Sequence, residues 1–335
     1  MIVICPDCRE VRQKTKRIID QPVARLQVHE TPLRQTINNN HAFSRRHRRL
    51  VSLSNHSRDP SSPSSNRDID SFPPSPSRGL GYAFIQYYAA QPDTTVIGIV
   101  RNAPAVEARL AKDNITNVHV LAADITDASA IQAAADATAQ ITGGGLDILI
   151  NNAGLSGDSA DSFVPVTGLT AAQIKENFTA SFDANVIGVA ITTNAFLPLI
   201  RKGKGKKIIT LSTGMADAEL VNRFNVAISG AYAISKAAVN MLVSKYHAAL
   251  GASEGILNLA ISPGFVDTNE GKPMDEERLK GVQGMVQMFS QYAPHFTGPI
   301  TPEESVRLVV GVFERATVEK DGGGFVSQFG DKQWL

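Results

Sequence analysis

Two residues in this sequence have the types and spacing for proton chemistry. Tyr232 and Lys236 stand four apart in "GAYAISKAAVNMLVSKYHAAL", a strongly helix-periodic run. At that spacing both side chains fall on one helix face. A phenol with a pKa of about 10 exchanges protons poorly at neutral pH. An ammonium beside it favours the phenolate and brings that pKa down. Such a pair suits proton transfer to or from a carbonyl or alcohol oxygen. The spacing is common by chance, so the pair gains weight only from its surroundings.

Those surroundings are rich. The strand-like run "GKKIITLST" ends on two hydroxyls, Ser212 and Thr213. "SPGFVDT" (262–268) comes after the next strand-like run and contains Pro263, Gly264, Val266 and Thr268. Asn185 lies in "ANVIG", inside a long helical stretch over roughly 170–200. Further upstream, "SRGLGYAF" places Arg78, Gly79, Leu80 and Gly81 at a helix start. Glycine there lets the backbone approach a pyrophosphate, and the free N–H groups of the helix favour its charge.

The next strand ends in Arg101, where a site selective for NAD carries an acid for the ribose 2′-hydroxyl. Arg101 and Arg78 together suit a 2′-phosphate. They favour NADP(H), with NAD(H) possible. Asp124 ends the third strand, placed to accept from an adenine amino group, and "NNAG" (Asn151, Asn152, Ala153, Gly154) ends the fourth. Asparagine there satisfies backbone groups, while Ala and Gly leave room for a flat ligand.

The elements that must position these residues alternate strand and helix from Gly79 onward. Runs such as "TTVIGIV", "LDILI" and "KKIITLS" are almost continuously apolar, as strands buried on both faces are. Alternation with helices predicts an α/β fold: a Rossmann-like, doubly wound parallel sheet flanked by helices, forming a single domain over 77–335. Thr301 opens a helix through "TPEESVRLVVGVFERA", and "GGGFVSQFG" closes with a short strand. In the helical stretch over roughly 273–291, Met285, Met288 and Phe289 either line an apolar pocket or form the inner face of a helix.

The chain has 335 residues, 43% of them hydrophobic, and a formal charge of +1. No run approaches the roughly 18 apolar residues of a membrane span, so no membrane partner is expected. Residues 1–77 carry 13 Lys+Arg against 7 Asp+Glu and contain none of the 26 glycines. Their "RRHRR" cluster is a weak basis for nucleic-acid binding, which is not expected. Cys5 and Cys8 have metal-knuckle spacing without a second pair, and no metal site is expected. The Ser/Pro-rich run ending in "SFPPSP" predicts that residues 1–76 are a low-complexity extension, disordered or wrongly joined to the α/β domain.

Taken in order, "SRGLG", "DITD", "NNAG", "ANVIG", "YAISK" and "SPGFVDT" resemble the short-chain dehydrogenase/reductase family, over about residues 77–335. The resemblance implies an NADP(H)-dependent carbonyl reductase or alcohol dehydrogenase. Tyr232 would be the general acid/base. Lys236 would lower its pKa and bond the nicotinamide ribose, and Asn185 would hold a water linking Lys236 to solvent. Ser212 or Thr213 would orient the substrate. Pro263 to Thr268 would wrap the nicotinamide, with Val266 and Thr268 on its carboxamide. It also implies a small-molecule carbonyl or alcohol substrate, a cytoplasmic location, and a homodimer or homotetramer paired through the helices bearing Asn185 and Tyr232.

One part departs from the family pattern Thr-Gly-x-x-x-Gly-x-Gly. Gly79 and Gly81 match its last two glycines, but Ser75 stands for the first and Pro74 for the threonine. The buried strand expected before it is missing, since Pro73, Pro74 and Pro76 cannot donate ladder hydrogen bonds. This opens a second reading, a catalytically impaired binding or scaffold protein of the same fold. An alternative is that "MIVIC" fills the empty strand position.

Overall fold

The computed structural model describes residues 1–6, 79–155, 160–268, 276–293, 296 and 298–335. Seven strands form one sheet: β1 (Ile2–Pro6), β2 (Thr94–Val100), β3 (Val118–Ala122), β4 (Ile148–Asn151), β5 (Lys207–Leu211), β6 (Leu257–Ile261) and β7 (Phe325–Val326). Their spatial order is β3-β2-β1-β4-β5-β6-β7. All run parallel except β1, which pairs antiparallel with β2 on one side and β4 on the other. The doubly wound sheet is therefore as the residue pattern predicts.

The prediction of a missing first strand is corrected. Ile2–Pro6 fills the central position, with Ile2 opposite both Gly98 and Ile150. Without it, β2 and β4 would face each other across a gap lined by unpaired backbone groups, each costing about 1–3 kcal/mol when buried. Ile2 and Ile4 are buried in the core at 0% and 1% exposure, each worth about 1.5–3 kcal/mol. The division at residue 76 is corrected with it, because the first six residues belong to the sheet. The "RRHRR" cluster, "CPDC" from Asp7 onward, Arg78 and the proline run lie outside the described residues.

The sheet is covered on both faces. Helices α1 (Gly79–Ala89), α2 (Ala103–Lys112) and, late in the chain, one at Pro302–Arg315 bury Tyr82, Phe84, Val106, Leu110, Val309 and Phe313 against one face. On the other face α3 (Ala128–Thr142), α4 (Ala171–Phe182), α5 (Gly188–Lys202) and α7 (Gly230–Glu254) follow in chain order, while α6 (Ala218–Phe224) packs separately, its Leu220 clustered with Val226 and Trp334. Ile131, Phe196, Ile200 and Leu250 bury their side chains on this second face. β2 serves both faces by alternation, with Val96 and Val100 on the first and Ile97 and Ile99 on the second.

The last helices are α8 (Glu276–Tyr292), α9 (Pro302–Arg315) and α10 (Val318–Asp321). Thr301 caps α9, its hydroxyl accepting from the Glu304 N–H at 3.1 Å. Among the described residues one helical run, Ala171–Lys202, is long and apolar enough to cross a membrane. It includes α4 and α5, which pack on α7 and α3 respectively. Between them a π-turn spans Asp183–Ile187, a feature that recurs at functional sites because it breaks the regular pattern of backbone bonding.

Candidate active site

Asn185 is the hub. It sits in the π-turn at 0% exposure. Its Oδ1 accepts from the Leu155 N–H at 2.7 Å, and its Nδ2 donates to the Leu155 carbonyl at 2.9 Å and to Ser235 Oγ at 2.9 Å. Ser235 Oγ in turn donates to the Tyr232 carbonyl at 2.7 Å. One buried side chain thus ties the loop after β4 to the first turn of α7, which carries Tyr232. Both Nδ2 protons are committed to protein partners, so the side chain serves here as a clamp. A water at this residue would have to be held by the backbone of the π-turn.

Lys236 lies one helical turn beyond Tyr232 and is buried. Its Nζ donates to the Leu211 carbonyl at 2.8 Å, at the end of β5. Burial pushes its ammonium down from 10.5 to about 8. It therefore stays largely protonated at neutral pH and keeps its charge beside the tyrosine. Gly154 explains why "NNAG" ends in glycine. A Cβ there would stand 2.7 Å from Asn185 Oδ1 and 3.3 Å from Lys236 Nζ.

The two candidate hydroxyls separate. Thr213 is half-buried, and its Oγ1 accepts from the Met215 N–H at 3.3 Å, capping a short 3-10 turn while its own proton remains available to donate. Ser212 is 3% exposed, and its Oγ has no hydrogen-bond partner. Next to them Ser262 Oγ accepts from the Gly214 N–H at 3.1 Å, so the ends of β5 and β6 are laced together. The stretch after Thr213 folds into that 3-10 turn and α6, capped by Asp217.

The loop after β6 is fastened at several points. The Pro263 carbonyl accepts from the buried Ser305 hydroxyl at 2.6 Å. The Ile300 N–H donates to the Phe265 carbonyl, and the Asp267 N–H donates to the Ile300 carbonyl, each at 2.9 Å, either side of Val266. Gly264 adopts φ +84, a left-handed conformation natural to glycine. The loop returns to α1, where Thr268 Cγ2 would lie 3.3 Å from a Cβ on Gly79. Leu80 is half-buried and Gly81 is buried in α1.

At the other end of the crevice, Arg101 is exposed at the tip of β2. Asp124 keeps one oxygen occupied, since Oδ1 accepts from the Thr126 N–H at 2.8 Å and hydroxyl at 2.7 Å. Asn151 is buried and faces the sheet's supports rather than open space. Its Nδ2 donates to Thr193 Oγ1 at 3.2 Å and Thr210 Oγ1 at 3.3 Å, which pins β4 to α5 and β5. Asn152, Ala153 and Gly154 are half-buried beyond it.

A nicotinamide dinucleotide fits these residues. Ser212 leaves a buried hydroxyl unpaired beside the buried Lys236 ammonium at the end of β5, donors suited to a polar ligand there, while Gly79, Gly154 and Gly264 let Thr268, Asn185 and Gln328 pack against the backbone. The pyrophosphate end is altered, because β1 presents Met1 at the carboxyl edge of the sheet. There the Met1 amino group donates to the Ile99 carbonyl at 3.2 Å. Sequence reasoning missed Leu155 and Ser235, whose roles rest on a hydrogen bond across 30 residues and on one within a helix turn. The i, i+3 spacing of Tyr232 and Ser235 was the only local signal for the second.

Residues 76–279 match the short chain dehydrogenase family model. The chain is 50% identical over 259 residues to the short-chain dehydrogenase/reductase AacuF of Aspergillus aculeatus, covering 77% of this chain and 97% of that one. It is 44% identical over 263 residues to the short chain dehydrogenase virK of Hypocrea virens, again covering 77% and 97%. Among solved structures, the NADPH-bound carbonyl reductase from chicken fatty liver superposes with a TM-score of 0.60 at 24% identity, over 76% of this chain and 94% of that one. The fold, the order of the motifs and these similarities agree: the chain belongs to the short-chain dehydrogenase/reductase family and is an oxidoreductase.

Proposed function

We propose that this protein interconverts a carbonyl and a secondary alcohol with NADP(H), Tyr232 acting as general acid/base. The observation that carries the reading is Lys236: a buried ammonium whose lowered pKa has desolvation as its cause, bonded to Leu211 and one turn from Tyr232. A fold tolerates such a charge where its field is used. Tyr232 is held by the chain Asn185–Ser235–Tyr232, so its backbone is fixed before substrate arrives.

In the reductive direction the bound nicotinamide supplies the hydride. Tyr232 gives its proton to the carbonyl oxygen, and Ser212 or Thr213 bonds that oxygen as negative charge develops. Lys236 would favour the phenolate of Tyr232 through its charge and would bond the nicotinamide ribose. Pro263 to Thr268 would hold the nicotinamide, Asp124 would receive the adenine, and Arg101 would favour a 2′-phosphate. Filling of the first strand position by Ile2–Pro6 supports this reading over an impaired binding protein.

Exposed Ile187, Ile234 and Met241, on the π-turn and α7, support assembly with a second copy through these helices. Two measurements test the function. NADPH should bind more tightly than NADH in a fluorescence titration, and NADPH should be consumed with members of a carbonyl panel. Tyr232→Phe should keep NADPH affinity within about threefold and lose about 10²–10⁴-fold in kcat. Full activity of that variant would refute the assignment.

A further inference from the structure

Gln328 stands just beyond β7, on the same edge of the sheet as the site. It is 3% exposed, yet its Oε1 has no hydrogen-bond partner. Its backbone is held rigidly. The Ser327 N–H donates to the Asp331 carbonyl at 2.8 Å and the Gly330 N–H to the Ser327 carbonyl at 2.9 Å, while Ser327 Oγ donates to Asp331 Oδ1 at 2.8 Å. The carboxamide lies on Gly264, where a Cβ would stand 2.7 Å from Nε2. A buried amide oxygen left unpaired costs about 1–3 kcal/mol, and here the carboxamide that carries it lies against the loop after β6.

The ladder locates it relative to the chemistry. The Ser212 N–H donates to the Ile261 carbonyl and the Ser262 N–H to the Val326 carbonyl, each at 2.8 Å. Ser212 and Gln328 therefore top strands two apart, roughly 10 Å across the sheet edge at about 4.8 Å per strand. Apolar side chains lie near the ends of both strands, and Trp334 is buried among them. Trp334 stacks on Phe325 with ring centroids 4.4 Å apart, and its Cβ would lie 2.6 Å from a Cβ on Gly214.

Resting on the oxidoreductase reading, we propose that Gln328 is a substrate-recognition residue. Its carboxamide bonds a hydroxyl or carbonyl oxygen carried several bonds from the carbon that exchanges hydride, on an otherwise apolar skeleton. The amide can turn either its N–H₂ or its C=O to that oxygen. The substrate class is thus an apolar ketone with a remote second oxygen. A site built to hydrogen-bond a group discriminates strongly against analogues without it.

The test compares 4-phenylbutan-2-one with 4-(4-hydroxyphenyl)butan-2-one, using NADPH and the full chain. The wild type should favour the hydroxylated ketone by roughly tenfold in kcat/KM, one hydrogen bond's worth. Gln328→Met and Gln328→Leu should each erase that preference through KM. Their kcat on the unsubstituted ketone and their NADPH Kd should stay within about twofold, and their Tm without ligand should not fall, since an unpaired buried group is removed. A preference that persists in both variants overturns the proposal. So does a weakened NADPH Kd, which would make Gln328 a cofactor contact, and so does a Tm lowered by several degrees in both, which would make it structural. A wild type that reduces both ketones equally sinks the role of Gln328 and leaves the oxidoreductase reading standing. One that reduces neither, nor any member of the carbonyl panel, overturns both.

Discussion

Lys236→Met separates what the buried ammonium costs from what it does. In the folded protein its pKa falls from 10.5 to about 8 through burial. At 1.36 kcal/mol per pKa unit, that shift costs the fold about 3 kcal/mol at neutral pH, where both states carry the charge. Methionine has a similar shape and removes the charge, but leaves the Leu211 carbonyl without the 2.8 Å bond it now accepts. That loss offsets about 1–2 kcal/mol. The variant should therefore be more stable by about 1–2 kcal/mol, raising Tm by roughly 2–8 °C for a domain of this size. Turnover should fall about 10²–10⁴-fold, as for loss of acid/base assistance.

The pH dependence gives an independent check. Between about pH 8 and 10.5 the unfolded lysine holds its proton while the native one has lost it. The unfolded state then binds more protons, so wild-type stability rises with pH through that window relative to the methionine variant. The wild type gains about 3 kcal/mol across it, so the gap seen at neutral pH should close within the window and reverse by about 1–2 kcal/mol at its top. Differential scanning calorimetry of both proteins across that range, with NADPH consumption at neutral pH, measures each part. A variant less stable than wild type by about 3 kcal/mol would show that the ammonium is a net structural asset. A variant with wild-type turnover would show that Tyr232 does not depend on it. Either result refutes the reasoning.

Two further substitutions probe the frame around this pair. Gly154→Ala brings a methyl 2.7 Å from Asn185 Oδ1; it should cost about 1–3 kcal/mol by overpacking and slow turnover. Wild-type melting and kinetics would mean that the clamp on Leu155 moves freely. Ile4→Asp buries a carboxylate at a position 1% exposed between β2 and β4; it should cost more than about 4 kcal/mol where Ile4→Val costs about 1, and a chemical denaturation curve matching wild type would remove β1 from the sheet centre.

Much of the site was legible because its signals are local. Tyr232 and Lys236 share a face by helix spacing alone, and Gly79, Gly154 and Gly264 mark places where backbone must come close or turn left-handed. Buried parallel strands announce themselves as continuous apolar runs, which is why "TTVIGIV" matches β2 residue for residue. The features that stayed hidden depend on contacts between distant segments. The two bonds between Asn185 and Leu155 join residues 30 apart, and no periodicity encodes them. Asn151, expected to satisfy backbone groups at the end of β4, turns to side chains. Thr193 and Thr210 make it a brace instead.

The first strand shows most clearly where local reasoning ends. Proline chemistry argues against a central strand just before α1, and the residues it concerns lie outside the described ones. It says nothing about which other segment fills the position. Ile2, Val3 and Ile4 are β-branched and suit a strand buried on both sides, but direction and partner are set by the gap they enter. Running antiparallel, β1 brings Met1 rather than a glycine turn to the carboxyl edge of the sheet. On the proposed reading a pyrophosphate would meet the amino-terminal turn of α1, where Gly79 has φ +58 and Thr268 packs against it. On that reading more of the cofactor's affinity would come from the nicotinamide half, where Lys236 is bonded to the end of β5 and the loop from Pro263 to Thr268 is fastened to Ser305 and Ile300. Lys236, more than the glycines, would then be the residue on which binding and chemistry jointly depend.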